Sequence, residues 1–316
     1  MILPMENQHE AADPFARGTI VTVGMFDGVH VGHRHILDQL TAKARELELQ
    51  PVVVTFDQHP RIVLGKDVGD FRLLSDVKRR RSGLCNFFGY EVYLHVIHFD
   101  RQSAMRSACQ FVKDCLLDQL NMKALVLGYD NMFGSKANND FDQLPRLAEE
   151  SGFQIVVDTP VEAGGVAISS TRIRHALKSG TLDEVKELLG RNYAVAGTVV
   201  RGRGVGKTLG YPTANISLDE PMQALPKEGV YAVSVVVEGG KERFPAMANL
   251  GPQPTFDEKT STFEVNIIGS SENLYEKHLT IEFLVYLRET RKFASVDELV
   301  SQLERDRSAS LAIFNQ

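Results

Sequence analysis

Residues 19–24 (TIVTVG) form a run of β-branched and apolar side chains, and after a turn the pattern changes to Ile36, Leu37, Leu40, Ala44 and Leu47. The first run predicts a buried strand, and the three-to-four spacing predicts a helix with one apolar face. The alternation continues along the chain. Residues 51–56 (PVVVTF), 123–128 (KALVLG) and 153–158 (FQIVVD) read as strands, and 102–120 reads as a helix with Phe111, Val112, Cys115 and Leu116 on its apolar side. Apolar strands separated by amphipathic helices predict a Rossmann-like α/β domain, a parallel sheet covered on both faces.

Near residue 190 the pattern changes. After the short helix TLDEVKELL, strands are expected at about 194–200, 230–237, 244–250, 262–268 and 279–287, separated by Gly-, Pro- and Asp-rich turns. A terminal helix follows from about Ser295, with Val296, Leu299, Val300 and Leu303 among its apolar positions. This predicts a small antiparallel β-barrel or sandwich with a C-terminal helix packed on it. The expected domains are therefore 1–189 and 190–316.

A length of 316 residues suits two domains, with 43% hydrophobic and 24% charged residues, the balance of a folded globular chain. The formal charge of −6 excludes the broad basic field of a duplex-binding protein, so no nucleic-acid partner is expected and any phosphate site must be local. No apolar stretch is long enough for a membrane span. Three cysteines, Cys85, Cys109 and Cys115, fall in no metal-binding or disulfide pattern, which fits a reducing cytoplasm. A homo-oligomer is compatible with all of this. The basic run Lys78-Arg79-Arg80-Arg81 is expected to lie on a solvated face.

The first chemical constellation is Gly24 to His33. His30-Val31-Gly32-His33 lies between a strand and a helix, at the carboxyl edge of the expected parallel sheet, where such sheets bind ligands. A helix N-terminus offers unpaired N–H groups, Gly28 and Gly32 allow close approach of a phosphate, and two imidazoles three residues apart can point at the same oxygens. The chemistry suggested is nucleotidyl transfer, with attack on the α-phosphorus of ATP and departure of pyrophosphate. A second anion site is suggested at Ser169-Ser170-Thr171, good helix caps followed by Arg172 and Arg174. Spacing alone does not choose between the arginines.

Arg201-Gly202-Arg203-Gly204-Val205-Gly206-Lys207-Thr208 nearly spells a P-loop, but Arg201 stands where GxxxxGK[ST] needs glycine, and Leu209-Gly210-Tyr211-Pro212 breaks any helix that would follow. A glycine-rich loop wrapping phosphates through backbone N–H groups remains. Beyond it, Thr213 and Asn215 are two residues apart on an extended segment and point to one face, where a hydroxyl and an amide together suit Mg²⁺ and nucleotide phosphates.

The string GMFDGVHVGHRHIL resembles, nearly residue for residue, the signature of the prokaryotic bifunctional riboflavin kinase / FAD synthetases. Other segments are similar to that family's motifs in the same order: TFDQHP at 55–60, GYDNMFG at 128–134, SSTRIR at 169–174, GYPTAN at 210–215, NLGPQPTF at 249–256, FEVN at 263–266 and LRETRKF at 287–293. The resemblance runs from about Gly18 to Phe314. Asn131 stands where the family usually has an aromatic, Asn266 where it has histidine and Gly269 where it has aspartate.

The resemblance implies an N-terminal FMN adenylyltransferase of the α/β nucleotidyltransferase fold and a C-terminal riboflavin kinase barrel. Riboflavin, FMN, FAD and ATP would be substrates or products, with Mg²⁺ required. It implies that His30 and His33 act in adenylyl transfer, and that Gly24, Phe26, Gly32, Ser170, Thr171 and Arg174 hold ATP. It further implies that Gly204, Gly206 and Lys207 contact ATP in the kinase, that Thr213 and Asn215 hold the metal, and that Glu264 is the general base. His59, Asp130 and Arg288 would contact flavin. Competing readings are a chain with one working module, a flavin-binding regulator without turnover, and another HxGH nucleotidyltransferase, which would leave PTAN unexplained.

Overall fold

The computed structural model describes residues 15–65, 69–85, 92–129, 133–134, 140–202, 206, 209–251, 262–270 and 273–315. Two compact units emerge, one of Met1–Phe71 and Val77–Ile168, the other of Arg72–Asp76 and Ser169–Gln316.

In the first unit the elements run β1 (Thr19–Val23), α1 (Val31–Glu46), β2 (Gln50–Phe56), α2 (Pro60–Leu64), α3 (Val77–Cys85), β3 (Tyr93–Ile97), α4 (Ala108–Phe111), β4 (Met122–Leu127), α5 (Leu144–Ser151), β5 (Gln154–Val157), β6 (Glu162–Ala163) and β7 (Val166–Ala167). Strands β1 to β5 form one parallel sheet in the order β3-β2-β1-β4-β5. Every residue of β1 is buried. Its alternate side chains feed two cores: Val21 and Val23 join Val54, Leu125 and Leu116, while Ile20 joins Val53, Val126, Leu37 and Leu40. That two-sided burial is why these strands lack polar alternation. The sheet grows from β1 toward β2 on one side and β4 on the other, and this reversal opens a crevice at the carboxyl ends of β1 and β4.

Three local features differ from the pattern-based expectation. Strand β3 sits at the sheet edge with only half-buried side chains, which weakened its apolar signal. The single helix expected over 102–120 is broken into a 3₁₀ turn at Ser103–Met105, α4, and a π-helical stretch at Val112–Leu117. The basic run of α3 is not wholly solvated. Arg80 is buried and its Nη2 donates to the Phe56 carbonyl at 2.7 Å, because α3 turns this one arginine inward to the end of β2.

The second unit comprises α6 (Ser170–Ser179), α7 (Leu182–Leu189), β8 (Tyr193–Val200), β9 (Ala214–Leu218), β10 (Gly229–Val237), β11 (Phe244–Leu250), β12 (Phe263–Ile267), β13 (His278–Arg288) and α8 (Val296–Phe314). Its six strands close into an antiparallel barrel in the order β10-β11-β12-β9-β8-β13. Tyr231, Val233, Ala248, Val265, Ile281 and Phe283 are among its fully enclosed side chains. Helix α8, capped by Ser295 accepting from the Glu298 N–H, packs on β10, β11 and β13. The strap Arg72–Asp76 joins this unit through Leu73, which exchanges backbone hydrogen bonds with Met222 and Ala224 at 2.8 and 2.7 Å. Among the described residues no helix is long and apolar enough to cross a membrane.

Candidate active sites

The turn between β1 and α1 adopts a conformation that few side chains tolerate. Phe26 and Val29 have positive φ values of 50° and 42°, and Gly28 between them has 83°. For a non-glycine residue, β-branched Val29 above all, this conformation costs about 1–3 kcal/mol. Burial holds it in place: Phe26 and Val29 both sink into the core layer covered by α1. Two further ties fix the turn to β2, the Gly24 N–H donating to the Val54 carbonyl at 3.0 Å and Thr55 Oγ1 donating to the Met25 carbonyl at 3.3 Å.

The strained turn delivers the two histidines to one place. His30 caps α1, its Nδ1 accepting from the His33 N–H at 3.2 Å. The two rings stack with centroids 3.5 Å apart and an interplanar angle of 16°, and Phe26 meets His33 edge-on at 5.1 Å. Since Nδ1 of His30 accepts, its proton belongs on Nε2, which makes this imidazole a neutral donor. Gly32 sits close under the first ring: a Cβ there would lie 3.2 Å from His30 Nδ1. Gly24 is similarly tight, a Cβ meeting the Phe26 ring at 3.2 Å. No acidic residue sits in the first turn of α1 itself.

At the neighbouring strand ends, His59 caps α2 through Nδ1 and packs its ring 4.5 Å from Phe71. Asp57 bonds His98 Nδ1 at 2.6 Å and accepts from the Phe99 N–H at 2.9 Å. Burial pushes the Asp57 carboxyl up, but the His98 and backbone hydrogen bonds outweigh it and leave the carboxyl below its usual range. The hydrogen bond to Asp57 raises His98. Asp130 and Asn131 lie outside the described residues.

In the second unit Ser169, not Ser170 or Thr171, supplies the cap of α6, accepting from the Arg172 N–H at 3.3 Å. Ser170 and Thr171 occupy the first turn with their backbone N–H groups at the positive end. The arginines differ: Arg172 Nε donates to Glu184 of α7 at 2.9 Å, whereas Arg174 Nε donates to the Arg72 carbonyl of the strap.

The barrel brings the remaining candidates together. In β12, Phe263, Val265 and Ile267 point inward, which turns Glu264 and Asn266 to the outer face. Glu264 is directly opposite Asn215 of β9 on one side and Asn249 of β11 on the other. Directly opposed residues share a face with Cβ atoms about 4.5–5.5 Å apart. Asn249 in turn faces Val230 of β10, and Val230 faces Arg288 of β13. The row places Glu264 and Arg288 three strands apart, on the order of 14 Å along the sheet. Asn249 opens the 249–256 motif but is given no site role there; the strand register shows that it flanks the carboxylate. These candidate residues thus share a row on the barrel's outer wall.

Thr213 sits immediately before β9. Gly206 is helical, its carbonyl accepting from the Leu209 and Tyr211 N–H groups at 3.2 and 2.9 Å, and β9 begins at Ala214. Gly202 lies against Asn215 so closely that a Cβ would overlap the amide. Gly204 and Lys207 lie outside the described residues. Arg288 pairs with Asp306 of α8, Nη2 to Oδ2 at 2.7 Å. Hard oxygen donors of the Thr213, Asn215 and Glu264 type fit Mg²⁺, and no cluster of three His, Cys, Asp or Glu suited to a softer metal occurs among the described residues.

Two family models match the chain, FAD synthetase over residues 12–172 and riboflavin kinase over residues 189–314. The chain is 35% identical over 307 residues to the bifunctional riboflavin kinase/FMN adenylyltransferase of Escherichia coli K12, covering 97% of this chain and 96% of that one. It belongs to the bifunctional riboflavin kinase/FMN adenylyltransferase family. The Haemophilus influenzae relative is 36% identical over 306 residues, covering 96% of this chain and 97% of that one. The Bacillus subtilis relative is 32% identical over 300 residues, covering 94% and 93%. A crystal structure described as a macrolide-efflux protein from Streptococcus pneumoniae superposes with a TM-score of 0.83 at 33% identity, covering 98% of both chains. The two family models leave residues 173–188 between them, most of α6 and α7.

Proposed function

We propose that this protein phosphorylates riboflavin to FMN and adenylylates FMN to FAD, each step using ATP, in modules that divide near residue 190 (1–189 and 190–316). The observation that carries the reading is Glu264 facing Asn215 across β12 and β9, with Thr213 beside them. In the kinase step the terminal ribityl hydroxyl attacks the γ-phosphorus, its proton passes to Glu264, and ADP leaves. Thr213 and Asn215 position Mg·ATP, with Gly204, Gly206 and Lys207 as further phosphate contacts. Bound there, Mg²⁺ would neutralise charge on the phosphate oxygens. The row from Glu264 to Arg288 suits an extended substrate with its hydroxyl at one end and a flat ring at the other.

In the adenylyl step a phosphate oxygen of FMN attacks the α-phosphorus of ATP, and pyrophosphate leaves. The nucleophile is already ionised, so no base is needed and positioning dominates. His30 Nε2 and His33 stabilise charge on the phosphates, and Gly24, Phe26 and Gly32 let the backbone approach them. Ser170, Thr171 and Arg174 are proposed as triphosphate anchors, and His59 and Asp130 as flavin contacts. The substrates need no nucleic acid or membrane. Described thiols Cys109 and Cys115 are free, in keeping with a cytoplasmic enzyme. Homo-oligomerisation remains compatible with this function.

A mass-spectrometric time course with riboflavin and Mg·ATP tests the proposal. FMN should rise and then decline as FAD accumulates, with ADP and pyrophosphate released in turn. If FMN never forms, the kinase reading fails; if FMN accumulates without FAD, only one module works. A sharper check uses Gly202→Ala. The added methyl displaces the Asn215 amide, so KM for Mg·ATP in FMN formation should rise about tenfold, a loss of about 1.4 kcal/mol, while FAD formation from FMN stays within twofold.

A further inference from the structure

The ladder between β12 and β9 has two rungs, Glu264 with Asn215 and Val265 with Ala214. The next would join Asn266 to Thr213, but regular pairing has ended. A side chain takes over: Asn266 Nδ2 donates to the Pro212 carbonyl at 2.7 Å. Asn266 is only 8% exposed, whereas Pro212 is exposed, so the bond runs from the barrel wall to the loop's surface.

The loop has a second tie at its other end, where the Gly206 carbonyl uses the Leu209 and Tyr211 N–H groups. A Cβ at Gly206 would lie 3.3 Å from Thr213 Oγ1, which shows how closely the loop folds over that hydroxyl. Between the two ties, Pro212 has no N–H to offer the barrel, and its carbonyl is the group through which the wall can hold it. We propose that Asn266 is a positioning residue for riboflavin phosphorylation. By gripping Pro212 it fixes Thr213 one step beyond the Glu264–Asn215 rung and sets the metal-binding hydroxyl in register with the base.

The chemistry of the side chain fits this task. An amide donates without charge, so it holds the carbonyl without placing a second carboxylate or a cation beside Glu264. It also explains how the chain accommodates Asn266 where the resemblance expects histidine. An imidazole N–H can make the same bond, so the exchange keeps the donor.

This inference rests on the kinase reading, and one experiment separates the two. Asn266→Ala, Asn266→Asp and Asn266→His are compared with wild type for FMN formation, for Mg·ADP binding by calorimetry and for riboflavin binding by fluorescence quenching. Alanine and aspartate should weaken Mg·ADP binding and raise KM for Mg·ATP about tenfold, with riboflavin affinity and thermal midpoint little changed. Histidine should restore nucleotide affinity to within threefold. Near-isosteric aspartate keeps the test informative if alanine fails to fold, because its carboxylate fills the site but cannot donate when ionised. The inference is overturned if aspartate binds Mg·ADP like wild type, if histidine fails to restore affinity, or if riboflavin binding falls in step with nucleotide binding. Failure of the kinase reading looks different: the wild type itself then makes no FMN.

Discussion

Glu264→Gln is expected to lower kcat for FMN formation by about 10²–10⁴-fold, the usual contribution of a positioned general base. Glutamine has nearly the same shape and keeps its place on β12 between Asn215 and Asn249. It can still accept a hydrogen bond from the substrate hydroxyl, but it cannot take the proton as the phosphoryl group is transferred. Binding should therefore survive where turnover does not. Riboflavin affinity, read by fluorescence quenching, should stay within threefold. FAD formation from FMN should also persist, because His30 and His33 belong to the other compact unit. A variant that still makes FMN within tenfold of the wild-type rate would move the base away from Glu264. Complete loss of FMN with intact riboflavin binding would separate an enzyme from a protein that only binds flavin.

Much of this architecture was legible because burial leaves a plain trace in composition. A central strand such as β1, enclosed on both faces, is made of apolar and β-branched side chains, and α1 shows its stripe. The signal fades where burial is partial. Edge strand β3 buries too little to announce itself. The broken helix before β4 escaped for another reason, since local pattern does not distinguish α from π winding.

The chemistry divided in the same way. Motif spacing along one segment marked His30 and His33, because a turn and a helix start bring them together locally. Cross-strand partners are set by register, which no local pattern contains. Thus Glu264 and the motif opening at Asn249 were marked, but that they are neighbours was not, and the hold of Asn266 on Pro212 across 54 residues could only appear in three dimensions. Arg80 makes the same point in reverse, since a run of cations gives no hint which one the fold draws inward.

Loss of the Asp306 carboxylate is expected to be among the most destabilising single changes in the barrel unit. Asp306 is 4% exposed and lies on the face of α8 turned to the end of β13. Arg288 meets it with Nε at 3.1 and 3.0 Å from the two oxygens and Nη2 at 2.7 Å from Oδ2. Gln302 Nε2 donates to Oδ1 at 2.8 Å, and Arg288 Nη1 reaches the Glu289 carbonyl at 3.0 Å. The guanidinium is thus engaged within the protein, and its hold on α8 is the first consequence of its position. Asp306→Ala leaves a mostly buried cation without its counter-charge, a change that costs about 3–5 kcal/mol. Urea unfolding of the full chain, followed by tyrosine fluorescence, should show this as a lower midpoint. Arg288→Met combined with Asp306→Leu should recover most of the loss, because two packed apolar side chains need no counter-charge. The double variant also isolates the role of Arg288 toward flavin. If it folds stably and binds riboflavin as wild type does, Arg288 serves the site only through α8; if it folds stably and binds weakly, the guanidinium contributes to the ring slot directly. A cost below about 1 kcal/mol for Asp306→Ala would instead mark the pair as solvent-screened and α8 as held by its apolar face alone.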